Sequence, residues 1–274
     1  MKNKYSKVDY SKASLPRTRR EQFLDCFKMN YPLILKAGLI ILVSFLPMLI
    51  FSFLADYYYA SLMSVSKEAV AATKMVYYNL FGVGIVLFAM VAMIGISGVL
   101  HVFRNLIWGE GIYFKEDMKD GIKENYWRNV LHGLVCSIFF VLAFFLYSIF
   151  PETIIAYAAL FLFALIFLPI YFWIIYLNNT YQSTFWQLIK NGFYFYIKTI
   201  GWSILMVVIT LIPIFVIFIP MTLIYLKYII LLLYFAFVFP SLLLMINLYT
   251  TSIFDKYINK DNYSDFYKRG LNDN

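Results

Sequence analysis

Two histidines, His101 and His132, two cysteines, Cys26 and Cys136, and a sparse set of carboxylates make up the chain's means for chemistry. Metal-assisted or intramembrane hydrolysis needs His, Asp or Glu clustered at ligand spacing. The sequence contains no HExxH, no CxxC and no pair of carboxylates within an apolar run. The expectation is therefore no catalytic site, no bound metal, no cofactor and no enzyme activity. One constellation stands apart. His101 ends the second apolar run and His132 begins the third, so both belong near one membrane surface, close to Arg104 and Glu110. They could share a polar site there; the alternative is two interfacial histidines, each with its own local partners. The cysteines, one in a polar segment and one in an apolar run, form no disulfide framework.

Composition sets the elements that must position these residues. With 62% hydrophobic and 14% charged residues over 274 positions, the chain has more apolar surface than a soluble domain of that length could bury. Mean hydropathy is +0.74. The bilayer must act as solvent. A net charge of +8 would suggest nucleic acid in a soluble protein. Here the basic residues fall on one side of the expected spans, so anionic lipid headgroups are the expected partner and nucleic acid is not.

Six apolar runs reach the roughly 20 residues that a crossing requires. They are Leu33 to Ala55, Val76 to Phe103, Val130 to Phe150, Thr153 to Leu177, Ile200 to Ile219 and Tyr228 to Tyr249. The expected fold is all-α, a polytopic helical membrane protein with six transmembrane helices. Residues 1–32 form a basic arm with an amphipathic helix, 33–249 the membrane domain and 250–274 a polar tail. The arm is longer than the charged start of a secretory signal, so it is expected to be retained. Only Pro151 and Glu152 separate the third and fourth runs, which predicts a tight hairpin. If both termini are cytoplasmic, 19 of the 23 Lys and Arg lie on the inside. Lys67, Lys74 and Lys227 fall outside, and Lys36 can snorkel back from the first span.

Local patterns add detail. Ala89, Ala92, Gly95 and Gly98 form a row of small residues that would let another helix approach the second span closely. Pro47, Pro169, Pro213 and Pro240 lie within spans and predict kinks or breaks. Trp108, Trp127, Trp173 and Trp202 sit near span ends, where the headgroup zone suits an amphipathic ring. An internal repeat is also visible. Phe23, Phe27 and Tyr31; Met118, Ile122 and Tyr126; and Phe185, Ile189 and Phe193 make stripes of period four. Lys28, Asn30, Tyr31 and Gly38 match Lys123, Asn125, Tyr126 and Gly133 at identical spacing. This predicts three hairpins, each preceded by an amphipathic cytoplasmic surface helix. Thr18 to Glu21 and Thr184 to Gln187 read as capping boxes at two of those helices. Residues Arg104 to Gly133 contain the third, read as a helix along the membrane surface.

Gly98, Arg104, Gly109 and Glu110, followed by Phe114, Lys123, Asn125, Tyr126 and Gly133, resemble the conserved stretch of the YesL family of bacterial multi-pass membrane proteins. Thr184 to Lys198 is similar to that family's later loop. The long basic arm and the Phe- and Tyr-rich fourth span depart from its pattern. The resemblance implies a location in the bacterial cytoplasmic membrane and an accessory or scaffold role beside carbohydrate uptake systems, with transporter subunits as partners. Arg104, Glu110, Phe114, Lys123, Asn125, Tyr126 and Arg128 are the candidate partner contacts. A permease for a neutral solute is the main alternative, although Lys36, Asp56 and Lys227 all lie near span ends and leave no charged relay at mid-membrane. A lipid-sensing membrane protein is the third reading.

Overall fold

A computed structural model of the chain describes residues 15–63, 67–150, 153–211 and 223–272. These residues form helices and connecting turns, with no strand among them. Helix α1 spans Arg19–Met29, α2 Tyr31–Met63, α3 Lys67–Ile107 and α4 Phe114–Ile149. The fourth span combines α5 (Ile154–Leu162), a π-helical turn at Phe163–Phe167 and α6 (Leu168–Thr180). After α7 (Phe185–Lys198) and α8 (Ile200–Thr210), the last span combines α9 (Ile224–Leu233), a second π turn at Tyr234–Val238 and α10 (Phe239–Phe254). Five of these assemblies are long and apolar enough to cross a membrane, and α7 with α8 makes a sixth, bent by 100°. Large apolar side chains such as Leu39, Val43, Leu54, Ile138 and Leu142 lie exposed along them, as a lipid-facing surface requires. The chain is a multi-pass helical membrane protein.

The two ends of the chain meet. Arg19 Nη2 pairs with Asp255 Oδ2 at 2.8 Å, and the Asn272 amide donates to the Pro16 carbonyl at 2.9 Å. Gln22 Nε2 donates to the carbonyls of Ile107 and Gly270, tying the α3 terminus into the same clasp. The far end of the bundle is marked by Lys227 at the start of α9, which pairs with Asp56 in the second half of α2. Since α6 ends at the terminal side and α9 begins at the far side, the chain must cross between Tyr181 and Ile224. Counted with the bent α7–α8 pair as one span, the described residues give six. The described part of the fifth is Ile200–Thr210, and the remainder of the predicted run, with Pro213, lies outside the described residues.

Proline shapes two spans without breaking them. Its ring conflicts with the carbonyl four residues back and it has no amide to donate. In both the fourth and the last span the five-residue π turn ends two residues before proline, Pro169 or Pro240, where the wider turn absorbs the conflict. Pro47 is carried inside the continuous α2.

The three expected surface helices differ. Helix α1 is separate, ending at Asn30 just ahead of Pro32. Thr18 Oγ1 caps it by accepting from the Glu21 amide, while the Glu21 carboxylate reaches the Arg17 amide. Helix α7 is also separate and has a complete capping box between Thr184 and Gln187. The middle one is not a separate surface helix. Helix α4 runs unbroken for 36 residues, about 54 Å, nearly twice the thickness of the hydrocarbon core. No proline or cap residue interrupts it near Gly133, and α3 supports it along its length. Its charged half continues in line with the span instead of turning along the membrane. The last span likewise extends beyond Tyr249 to Asn262, so the first part of the expected tail is helix.

Close approach depends on missing side chains. A Cβ at Gly95 would stand 2.5 Å from Ser44 Oγ on α2, and one at Gly98 would stand 2.5 Å from Met118 Cε on α4. The small-residue row, with Ala92 buried and Ala89 half-buried, thus serves two neighbours. At Gly38 a Cβ would collide with the Ala236 carbonyl oxygen in the second π turn. Trp173, expected at a headgroup zone, is instead fully buried, stacked on Phe195 and donating to Ser203 Oγ at 2.8 Å.

Gly38→Ala should therefore destabilise the protein by about 1–3 kcal/mol, because a rigid backbone atom opposes the methyl group. Gly201→Ala, where a Cβ meets nothing within 4 Å, should be neutral or slightly stabilising. Thermal unfolding in mild detergent compares the two; equal melting temperatures would refute this account of the α2 contact.

A polar pocket at the terminal end of the bundle

Gly109 turns the chain out of α3. Its φ of +69° closes the helix, with its amide reaching Leu106 O and the Glu110 amide reaching Asn105 O. This turn leaves Trp108 and Glu110 facing the carboxy-terminal segment. Trp108 stacks on Phe266 at 5.2 Å, and Glu110 pairs with Arg269. The Arg269 guanidinium carbon lies 4.5 Å from the Trp108 ring centroid, and that of Arg104 lies 4.8 Å from it.

Beneath this turn, amide side chains join α3, α4 and α6. Asn129 Nδ2 donates to Ser97 Oγ at 3.0 Å, and Asn178 Nδ2 donates to Asn129 Oδ1 at 2.9 Å and Asn125 O at 3.3 Å. Asn125 Nδ2 reaches Asn179 Oδ1, and Asn179 Nδ2 donates to Leu100 O at 3.1 Å. All four asparagines are buried. Buried polar groups need such partners, and interhelical amide bonds are a usual means of joining spans.

Arg104 lies against this layer. Its Nη1 donates to Asn179 O at 2.6 Å, and its Nη2 lies 3.1 Å from His101 Nε2. Since arginine can only donate, His101 Nε2 is the acceptor and the ring proton belongs on Nδ1, which faces Glu124 at 3.8 Å. No carboxylate oxygen of the described residues pairs with Arg104 within 4 Å. Together with Trp108, Glu124, Asn125, Arg128, Asn178 and Asn179, it lines a pocket of about 740 Å³. Thr180, Tyr181, Gln182, Tyr263 and Phe266 complete the wall. Burial, aided by the Asp255 and Tyr263 charges, raises the Tyr181 hydroxyl pKa, so it remains a donor, bonded to Asn259 Oδ1 at 2.6 Å.

The residues named from sequence separate into three groups. Lys123 and Arg128 are exposed; Phe114 and Tyr126 are half-buried against the core. Arg104, Glu110 and Asn125 are engaged within the protein, two of them at the pocket wall. His101 and His132 do not come together. His132 lies between the carbonyls of Arg128 at 2.7 Å and Phe185 at 3.3 Å, with its ring stacked on Phe185. Glu110 pairs with the tail and not with either histidine. Asn129, Asn178, Asn179 and Tyr181 were missed. Their signal was amides at the ends of apolar runs, including the i, i+4 pair Asn125 and Asn129. The described residues contain no group of three His, Cys, Asp or Glu that could hold a metal.

A second polar feature closes the far end. Asp56 Oδ2 accepts from Lys227 Nζ at 2.6 Å and from Tyr228 OH at 2.9 Å, with both charges buried. Sequence placed each charge near a span end, but not opposite the other. No family model matches the chain, nor does any curated protein or solved structure.

Removing one member of the far pair strands a buried charge, so Lys227→Met should cost about 3 kcal/mol or more, and Asp56→Asn with Lys227→Met should recover part of it. Unfolding in detergent tests this, and equal stability of the single and double variants would show that the charges are uncoupled. At the other end, burial first and the Asp25 charge second push the Cys26 thiol up to about 12, partly offset by Arg19. At pH 8 the thiolate fraction is on the order of 10⁻⁴. Cys26 should label with maleimide only after unfolding; rapid labelling of the native protein would show that α1 is not packed as described.

Proposed function

We propose that this protein is an accessory component of a solute uptake system in the bacterial cytoplasmic membrane, with both termini in the cytoplasm and its terminal end as the working face. The observation that carries the reading is the uneven distribution of polarity. Among the described residues, the buried Ser, Thr, Asn, Gln, His and charged side chains other than Asp56 and Lys227 all lie toward the terminal end. Lys227 and Asn247, on the same span, are separated by about 30 Å, close to the thickness of the hydrocarbon core. Between these levels most contacts among the described residues are apolar, as where Phe45 stacks on Phe235 at 4.2 Å, with the Tyr234 hydroxyl and Ser44 among the few polar side-chain groups there. Transport through the protein would need polar groups along that interval.

The exposed cations Lys123 and Arg128 fit a docking or headgroup role at this face. The resemblance of residues 98–133 to the YesL stretch supports a partner in carbohydrate uptake. A permease for a neutral solute is favoured by one feature, the pocket volume, which would hold a small solute at the entrance.

Tagged protein purified from native membranes in mild detergent should recover transporter subunits in stoichiometric amounts, and Lys123→Glu with Arg128→Glu should reduce that recovery. Recovery of the chain alone at native expression level, together with solute flux after reconstitution, would overturn the accessory reading in favour of a permease.

A further inference from the structure

We propose that the pocket at the terminal end binds a phosphate ester that also carries a free hydroxyl, with Arg104 and Arg128 receiving the phosphate and Asn178 the hydroxyl. Asn178 is 4% exposed and is one of the residues around the pocket, and its Oδ1, itself shielded from solvent, has no hydrogen-bond partner among the described residues. The orientation of its amide is fixed, because Nδ2 faces two oxygens, Asn125 O and Asn129 Oδ1. A buried acceptor without a donor favours a ligand that supplies an O–H.

The charge requirement is separate. Arg104 meets only neutral acceptors, and its Nη1 retains one hydrogen after donating to Asn179 O. Arg128 is exposed on α4 at the pocket wall, and its side chain makes no hydrogen bond or ion pair among the described residues. Among the described residues of the pocket wall Glu124 is the one carboxylate, so with Arg104 and Arg128 these residues carry one net positive charge; Arg269 nearby is paired with Glu110. Two guanidinium groups from different helices suit the divergent oxygens of a phosphate. The exposed Tyr263 ring offers apolar area for the carbon skeleton.

Such chemistry occurs in soluble sugar or polyol phosphates and in the phosphatidylglycerol headgroup. The inference rests on the terminal end being the working face. Its test needs no partner, so loss of ligand binding with transporter subunits still recovered would overturn the ligand assignment alone.

The full chain in phosphatidylcholine nanodiscs should bind glycerol 3-phosphate saturably by calorimetry, and glycerol far more weakly. Arg104→Gln should weaken binding roughly tenfold or more. Arg128→Glu, an exposed change that spares the fold, should do the same. Binding unaffected by phosphatidylglycerol in the disc identifies a soluble ester as occupant. Competition by that lipid, with its retention seen by mass spectrometry, identifies the headgroup. Absence of both probe binding and lipid retention, or undiminished binding by Arg128→Glu, would overturn the proposal.

Discussion

Asn179 holds the terminal end of the bundle together. Its side-chain oxygen accepts from Asn125 on α4, its side-chain nitrogen donates to the Leu100 carbonyl on α3, and its own carbonyl accepts from Arg104. Three helices are thereby fixed at one level by a residue at the end of an apolar run. In lipid, packing alone distinguishes weakly between helix neighbours, because tails are as apolar as leucine. A buried amide with directional partners supplies register that apolar contact does not. The pocket inherits that rigidity, since Asn125, Asn179 and Arg104 all form part of its wall.

The clasp between the chain ends completes the pocket from the other side. Arg19 donates to Gln22 Oε1, to Asp255 and to the Arg269 carbonyl, while Asp255 Oδ1 accepts from Asn259 and from the Lys268 amide. Gly270, at a φ of +82°, passes against the Ile107 carbonyl where no side chain would fit. This route brings Phe266 against Trp108 and places Tyr263 beside Tyr181. The amino-terminal helix therefore acts on the pocket indirectly, by anchoring the segment that covers it.

The helical membrane fold was legible because it depends on lengths and composition. Run lengths marked the spans; the tight turn expected at Pro151–Glu152 lies outside the described residues, while the flanking α4 packs back on α5 and α6. The small-residue row identified a real contact but not its division between α2 and α4, because 3.6-residue periodicity sends Gly95 and Gly98 to different neighbours. The continuity of α4 was not legible. Its amphipathic stripe is the same whether a helix lies along a membrane or packs beside α3 beyond it. The Asn layer was hidden for a similar reason. Asn125 on a charged helix reads as solvated until Asn178 and Asn179, over fifty residues later, are placed opposite.

The two polar ends also differ in electrical completeness, which bears on where function resides. At the far end Asp56 accepts from both Lys227 and Tyr228, and the buried pair of opposite charges carries no net charge. At the terminal end Arg104 has been buried among neutral acceptors, with Glu124 drawn toward His101 instead. A buried cation with no carboxylate in direct contact carries a desolvation cost that the nearby Glu124, Glu110 and Asp117 charges oppose and a bound anion would offset further. If structure alone were at stake, a leucine or methionine at position 104 could fill this site beside Trp108 at lower cost. The phosphate ligand proposed for the pocket would account for that charge.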